Sequence, residues 1–188
     1  AYVKHAGKPL VAVWGVGFSD ARAYSLEDCR RFIEFLKSDP EAGGCAVMLG
    51  VPYHWRTLNE DAAADPALLE TVAAADVINP WTIGRYQAPE QVLRHEKTVL
   101  EPDLAWCGQR GVKYVPTVFP GFSWHNMHGG PLDAIPRRKG AFLWSQMLAA
   151  KRAGASTLYV AMFDEVDEGT AIFKCLSRVP EGRVSRFV

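Results

Sequence analysis

Five short apolar runs, rich in β-branched residues, alternate along the chain with segments of helical periodicity. The runs are residues 10–16, 45–51, 77–80, 113–119 and 156–163. Each is nearly continuous in apolar character and is bounded by Gly or Pro, which is typical of strands buried on both faces of a parallel sheet. The alternation of strand and helix predicts an α/β fold with right-handed crossovers.

Four helical segments separate the strands, and start and stop signals mark their ends. They cover residues 25–37, a stretch that opens at 66, residues 89–110 and residues 138–152. Ser25 stands at the N-cap of the first, with Asp28 in the capping-box position. Asp65 precedes Pro66 at the start of the second, and Gly111 follows the third. These signals support the division of the chain into strand and helix units.

Two α/β arrangements compete, an open doubly wound sheet and a closed (β/α)8 TIM-type barrel. No GxGxxG or GxxxxGK[ST] segment follows the first strand, so no nucleotide cradle is indicated. Polar and aromatic residues follow every strand, and a barrel gathers such strand ends on one rim. We therefore predict a barrel. Because a complete one has eight units, the 188 residues are expected to form a single domain with the C-terminal five or so.

Composition narrows the classes of partner. The chain carries 21 basic and 21 acidic residues, so its formal net charge is zero. This balance argues against nucleic acid and anionic membranes as partners, and no apolar run is long enough to cross a bilayer. The cysteines include no CxxC pair, which argues against a zinc site and leaves the disulfide status open; they are Cys29, Cys45, Cys107 and Cys175. No cofactor is predicted, and the oligomeric state is left open.

The residues that follow the strands resemble the lining of a saccharide cleft. Aromatic faces pack on the C–H faces of sugar rings, while amides, imidazoles and charged groups bind hydroxyls. The predicted rim residues are Trp14, Tyr53, His54, Trp55, Trp81, Arg85, Tyr86, Phe122, Trp124, His125 and Asn126. The alternative is that the aromatic residues only plug the end of the barrel.

An acidic stretch, "FDEVDEGT" at residues 163–170, follows the last predicted strand. Glycoside cleavage needs a proton donor and a second carboxylate, and crowded carboxylates raise one pKa so that one group can remain a donor. Glu165 and Glu168 are three residues apart, and so are Asp164 and Asp167, so spacing alone does not choose between the pairs. A solvated acidic loop with an aspartate that caps a helix is the alternative.

Four segments carry a family resemblance: "GVPYHWR" at 50–56, "INPWTIGRY" at 78–86, "FPGFSWHNM" at 119–127 and "EVDEGTAI" at 165–172. Together they resemble glycoside hydrolase family 99, the endo-α-1,2-mannosidase and endomannanase group, and the related family 71/99-like proteins. The resemblance covers most of the chain. It implies a (β/α)8 barrel and an endo-acting glycosidase.

The resemblance also implies roles for the two glutamates. Glu165 corresponds to the family glutamate that deprotonates the substrate 2-hydroxyl, and Glu168 to the one that protonates the departing oxygen. The family is thought to retain configuration through a 1,2-anhydro sugar. Where the family has a Trp-His pair between the glutamates, this chain has Val166 and Asp167, which puts mannoside specificity in doubt. Asp164 and Asp167 join the rim residues as predicted substrate contacts.

Other functional classes make different use of the same residues. A non-catalytic carbohydrate-binding protein would keep the aromatic rim and make the acidic stretch incidental. A metal-dependent hydrolase could use a ligand set drawn from His54, His125 and His128 with Asp164 or Glu165. The acidic stretch could also hold calcium structurally, although it lacks the regular D-x-D-x-DG loop.

Two further features complete the predictions. The segment "IPRRKG" at 135–140 is either a contact for an anionic substrate group or a pair of solvated arginines before a helix. A polysaccharide substrate would suggest secretion or periplasmic export.

Overall fold

The computed structural model describes residues 2–173 and residue 183. Within these residues the chain forms two compact units. The first unit comprises residues 2–81 and 102–115, and the second comprises residues 82–101 and 116–173. Cys175 lies outside the described residues.

A five-stranded sheet organises the first unit. Its strands are β1 (Lys4–His5), β2 (Lys8–Trp14), β3 (Ala46–Val51), β4 (Val77–Pro80) and β5 (Lys113–Tyr114), in that spatial order. Strands β2 to β5 are parallel, as predicted. The β1 strand was not predicted, and it pairs antiparallel with β2 through a two-residue turn at Ala6 and Gly7. Both turn residues have positive φ, which is the backbone of a tight hairpin.

The middle strands form the core of this sheet. Val47, Leu49 and Val51 of β3 are fully buried, and so is Ile78 of β4. Neighbouring side chains on a strand point to opposite faces, so burial of nearly all residues in β3 and β4 means that both faces are covered. This burial explains why the sequence pattern located these two strands closely.

The helices of the first unit include α1 (Leu26–Ser38) and α2 (Ala67–Ala73). The predicted capping box of α1 is confirmed, because the Ser25 hydroxyl accepts from Asp28 N (3.1 Å) and Asp28 Oδ2 accepts from Ser25 N (3.0 Å). The Ser25 hydroxyl also donates to Asp28 Oδ2 (2.7 Å), and this bond, together with those from Ser25 N and Arg31, lowers the pKa of Asp28 to about 2. The second helix, α2, begins at Ala67, one residue later than the start predicted at Pro66. The Asp65 carboxylate accepts a hydrogen bond from Ala67 N (2.9 Å).

The predicted helix 89–110 has three parts. They are α3 (Pro89–His95), a π-helical segment (Glu96–Leu100) and α4 (Glu101–Arg110). The π segment contains Glu96, which is buried although it is charged. Arg152, the last residue of α6 (Ala141–Arg152), donates hydrogen bonds to both oxygens of the Glu96 carboxylate. These bonds lower the pKa of Glu96. The ion pair therefore lies within the second unit and joins the π segment to α6.

The predicted strand 113–119 is divided at Pro116, which has no N–H to donate to a sheet. Residues before it form β5 in the first unit, and residues after it form β6 (Thr117–Val118) in the second. β6 pairs in parallel with β7 (Tyr159–Val160), the short observed part of the predicted strand 156–163. A short helix, α5 (His125–His128), and a 3₁₀ turn (Arg138–Gly140) precede α6. The two sequence patterns thus located the strands but overestimated their lengths.

Candidate active site

The acidic stretch forms a closed loop directly after β7, which we call the acid loop (residues 162–170). Met162 N donates to Thr170 O (3.2 Å), which joins the two ends of the loop. Thr170 N and its hydroxyl both donate to Glu165 O (3.1 and 3.3 Å). Thr170 is fully buried, so a buried side chain holds the interior of the loop. The backbone around both glutamates is therefore fixed by local hydrogen bonds.

A second loop, which we call the β6 loop (residues 119–137), supports the acid loop. It is closed by a pair of backbone hydrogen bonds between Phe122 and Ile135 (3.0 and 2.8 Å). Ser123 N donates to Glu168 O (2.7 Å), and Asn126 Nδ2 donates to Asp167 O (3.3 Å). The two loops follow the two paired strands of the second unit, so parallel pairing of β6 with β7 brings them together.

The two predicted catalytic glutamates have different surroundings. Glu168 is half-buried, and burial raises its pKa, with further increases from the negative charges of Glu165 and Asp167. Glu165 is also half-buried, whereas Asp164 and Asp167 are exposed. A carboxyl whose pKa is raised holds its proton at a higher pH, which is the property required of a general acid. Of the four carboxylates, Glu168 therefore has the environment best suited to that role.

Aromatic and imidazole groups accompany the acid loop in the β6 loop. Trp124 is 41% exposed and packs edge-on against the buried ring of Phe122, with ring centroids 4.4 Å apart. His125 Nδ1 lies 2.9 Å from the carbonyl oxygen of Gly130. Because a carbonyl only accepts, Nδ1 carries the hydrogen in this contact. Trp124 thus presents an accessible indole, and His125 is held in one orientation.

The residues after β4 in the second unit divide into one exposed and one buried group. Arg85 is exposed. Tyr86 is only 4% exposed, and its hydroxyl donates to Gln146 Oε1 (3.2 Å). Its ring also packs against Phe119 and Phe142. This corrects the prediction that Tyr86 contacts substrate, because a side chain without accessible surface cannot stack on a sugar ring.

The first unit contains an aromatic surface of its own, at the carboxyl ends of β2 and β4. Trp14 is 48% exposed, and its ring lies 4.7 Å from that of Trp81 and 5.6 Å from that of Phe18. The indole of Trp14 covers Gly50 of β3, where an added Cβ would lie 2.0 Å from the ring. The absence of a side chain at Gly50 is therefore what lets Trp14 lie against the sheet. Trp14 is exposed and Trp81 is half-buried, and their contact with a substrate stays a prediction.

His54 and Tyr53 follow β3, and an aspartate that the sequence analysis did not select positions both. Asp61 Oδ1 accepts from the backbone N (3.0 Å) and Nδ1 (2.9 Å) of His54, and Asp61 Oδ2 accepts from Tyr53 N (3.0 Å). The other ring nitrogen of His54 lies 3.6 Å from Glu60. An imidazole held in this way offers its Nε2 in a defined direction.

Trp55 corrects a second prediction. It is fully buried, and its indole N–H donates to Asp103 Oδ2 (3.0 Å). Arg56 Nε donates to the other oxygen of Asp103 (2.6 Å), and the ring of Trp106 packs edge-on at 4.9 Å. Burial raises the pKa of Asp103 to about 6, against the opposing effect of Arg56. Trp55 therefore belongs to a buried polar network in the first unit and offers no face to a ligand.

Sequence reasoning missed the supporting residues of these loops. Asp61, Ser123 and Arg137 act through partners 7 to 45 positions away along the chain. For the segment "IPRRKG", one predicted alternative was a pair of solvated arginines. Arg137 is instead half-buried and donates to main-chain oxygens, which corrects that prediction for this residue. No local periodicity signals such contacts.

Among residues 2–173 and 183, no group of three or more His, Cys, Asp or Glu side chains is placed to hold a metal ion. No helix in this part of the chain combines the length and the apolar character needed to cross a bilayer.

Comparison with known proteins gives matches by structure. No protein-family model matches the sequence, and no curated protein matches it significantly. The chain superposes over its full length on 53% of a glycoside hydrolase family 99 endo-α-mannosidase from Bacteroides thetaiotaomicron, solved with bis-tris-propane, with TM-score 0.64 and 17% identity. A second structure of an endo-α-mannosidase of that family from the same organism matches 91% of the chain with TM-score 0.59 and 17% identity.

A glycoside hydrolase-like protein also matches 91% of the chain, with TM-score 0.62 and 16% identity. The chain spans about half the length of these solved structures: 53%, 46% and 48% of them. At this identity the likeness concerns the fold. The chain therefore has an α/β fold similar to part of the family 99 glycoside hydrolase barrel, as the strand pattern and the sequence resemblance predicted.

Proposed function

We propose that this chain carries the catalytic glutamates of a glycoside hydrolase that acts on oligo- or polysaccharides. In this proposal Glu168 protonates the departing glycosidic oxygen, and Glu165 removes the proton of the substrate 2-hydroxyl. The 2-oxygen then attacks the anomeric carbon, and water opens the resulting 1,2-anhydro sugar. The fold-level likeness to glycoside hydrolases supports the reaction class.

The observation that carries the proposal is the environment of Glu168. Its pKa is raised by burial and by two neighbouring carboxylates, and the hydrogen bond from Ser123 N to its carbonyl places it beside the Phe122 and Trp124 pair. A proton donor must stay protonated until the leaving oxygen needs the proton, so a raised pKa supports the acid role proposed for Glu168.

The surroundings of the acid loop suit a saccharide. The exposed indole of Trp124 offers a flat apolar face next to hydrogen-bonding groups. Such a face packs on the C–H face of a sugar ring, and the polar groups bind its hydroxyls. His125 and the exposed carboxylates Asp164 and Asp167 would bind hydroxyl groups. In the first unit, Trp14, Trp81 and His54 offer groups of the same chemistry.

The experiment begins with release of reducing ends from a panel of polysaccharides by the wild-type chain. Glu168→Gln and Glu165→Gln are then compared on the best substrate, with Glu90→Gln as the matched control because it removes an exposed carboxylate of the second unit that lies outside both loops. Removal of general acid or base catalysis is expected to lower kcat by roughly 10²–10⁴-fold, whereas the control should stay close to wild type.

A substrate with an activated leaving group separates the two glutamates. Such a leaving group departs without a proton, so Glu168→Gln should recover much of its activity on an aryl glycoside or glycosyl fluoride, while Glu165→Gln should not. A substrate methylated on its 2-hydroxyl should not be cleaved. Undiminished cleavage by Glu168→Gln, or saccharide binding without released ends, would refute the hydrolase proposal.

A further inference from the structure

We propose that Arg137 is a positioning residue whose guanidinium holds the carbonyl oxygens of Gly169 and Ala171, and that this contact sets the direction of the Glu168 side chain. The expected effect on catalysis rests on the proposed function, whereas the effect on the acid loop does not.

Arg137 reaches the acid loop from the far end of the β6 loop. Its Nη2 donates to Ala171 O (2.6 Å) and its Nη1 donates to Gly169 O (3.3 Å). The side chain is partly buried, so these contacts form in a setting where a main-chain carbonyl depends on a protein donor. One planar group thereby spans both carbonyls on the C-terminal side of Glu168.

The remaining tethers lie on the N-terminal side of these carbonyls. Asn126 donates to Asp167 O and Ser123 donates to Glu168 O. Together with Arg137, the β6 loop therefore contacts four carbonyl oxygens of the segment 167–171. Glu168 lies within this tethered segment, so the bound backbone fixes the direction in which its side chain leaves the chain.

Gly121 leaves room for the Arg137 side chain. A Cβ at Gly121 would lie 2.8 Å from Arg137 Cγ and 2.6 Å from Ile135 O. The second of these contacts is with backbone, which cannot move aside easily. The aliphatic part of the Arg137 side chain therefore packs closely against Gly121, in space that a larger residue at position 121 would occupy.

The guanidinium is not replaceable by an ammonium at this place. Arginine presents several N–H donors in a rigid fork, whereas lysine presents a compact point charge. Arg137→Lys can bond one carbonyl at most in the same geometry. This difference provides a graded test.

The test compares Arg137→Met and Arg137→Lys with Arg138→Met, which removes the exposed arginine next in sequence. The titration of the Glu168 carboxyl is followed by ¹³C NMR in each full-length variant, so no substrate is needed. Thermal unfolding shows which variants fold. If Arg137→Met does not fold, Arg137→Lys carries the comparison because it keeps the charge and most of the stem.

The sign of the expected change separates positioning from a simple charge effect. Burial is the largest cause of the raised pKa of Glu168, followed by the charges of Glu165 and Asp167. Release of the loop hydrates the carboxyl and should lower its titration midpoint in Arg137→Met, and less so in Arg137→Lys. Loss of a nearby cation alone would raise the midpoint. An unchanged or raised midpoint in Arg137→Met overturns the inference.

Kinetics supply the second readout once a substrate is found. Misplacement of a catalytic group by about 1 Å can cost roughly 10²-fold in rate, so Arg137→Met should lower kcat on that scale with little change in KM. Arg138→Met should match wild type. A wild-type chain that cleaves no saccharide would contradict the proposed function, while the NMR comparison would still decide the role of Arg137.

Discussion

His95 predicts a specific dependence of stability on pH. The imidazole is 7% exposed, and its ring lies 4.8 Å from that of Tyr86 in the second unit. Burial lowers the pKa of His95 from 6.5 to about 4, against a smaller opposing effect of Glu96. The folded chain therefore keeps His95 neutral in a pH range where the unfolded chain protonates it.

The sign and size of the effect follow from these two pKa values. Because the folded pKa is the lower one, the unfolded state binds the proton first, and stability is lost as the pH falls from about 6.5 towards 4. The difference of about 2.5 between 6.5 and about 4, at about 1.36 kcal/mol per pKa unit, gives up to about 3.4 kcal/mol. About 2 kcal/mol of this is lost between pH 7 and pH 5.

The measurement is the free energy of unfolding by urea at several pH values between 7 and 4. His95→Gln removes the titration, so its stability curve should be flatter than that of wild type, by about 2 kcal/mol at pH 5. The variant loses packing at every pH, and only the slope is diagnostic. His128→Gln is the control because it removes an exposed histidine from the same unit.

Two results would contradict this reasoning. Parallel curves for wild type and His95→Gln would show that His95 does not couple folding to protons. An imidazole NMR titration midpoint near 6.5 in the folded chain would show that burial does not disfavour the charged form.

Three other substitutions test features of the first unit. Gly50→Ala places a Cβ against the Trp14 ring, so it should lower the free energy of unfolding by about 1–3 kcal/mol and change the tryptophan fluorescence. Gly108→Ala is the control: its added Cβ meets open space, so it should not destabilise the chain. Trp55→Phe removes the indole donor of buried Asp103 and should cost about 1–3 kcal/mol in urea unfolding, and a loss below about 0.5 kcal/mol would discount the network. Ser25→Ala breaks the capping box of α1 and should lower Tm, while Ser25→Asp should retain most of it; equal Tm values would deny the cap a role.

Local patterns predicted the parts of the fold that local physics determines. β3 and β4 are buried on both faces, so their apolar runs marked them within one residue. The capping box of α1 depends on residues three apart, and it formed as predicted. Pro116 divides a predicted strand because it has no N–H to donate, and the apolar run that predicted the strand does not reflect this.

The sequence predicted which residues follow the strands, but it did not predict which way their side chains turn. A strand end predicts where a side chain begins, whereas neighbours distant in sequence decide which way it turns. Trp55 turned inward because Asp103, 48 residues away, accepts its N–H, and Tyr86 turned inward towards Gln146, 60 residues away. Trp14 lies against the sheet because residue 50 is glycine. These outcomes depend on tertiary contacts that single-sequence patterns do not contain.

The β6 loop binds main-chain oxygens of the acid loop, and within the acid loop Thr170 is the side chain described above as a support. We therefore expect exposed side chains of the acid loop to tolerate substitution, because these hydrogen bonds to the backbone do not involve them. If the proposed function holds, Val166→Trp and Asp167→His are expected to change the sugar preference, while the backbone contacts from Ser123, Asn126 and Arg137 are kept.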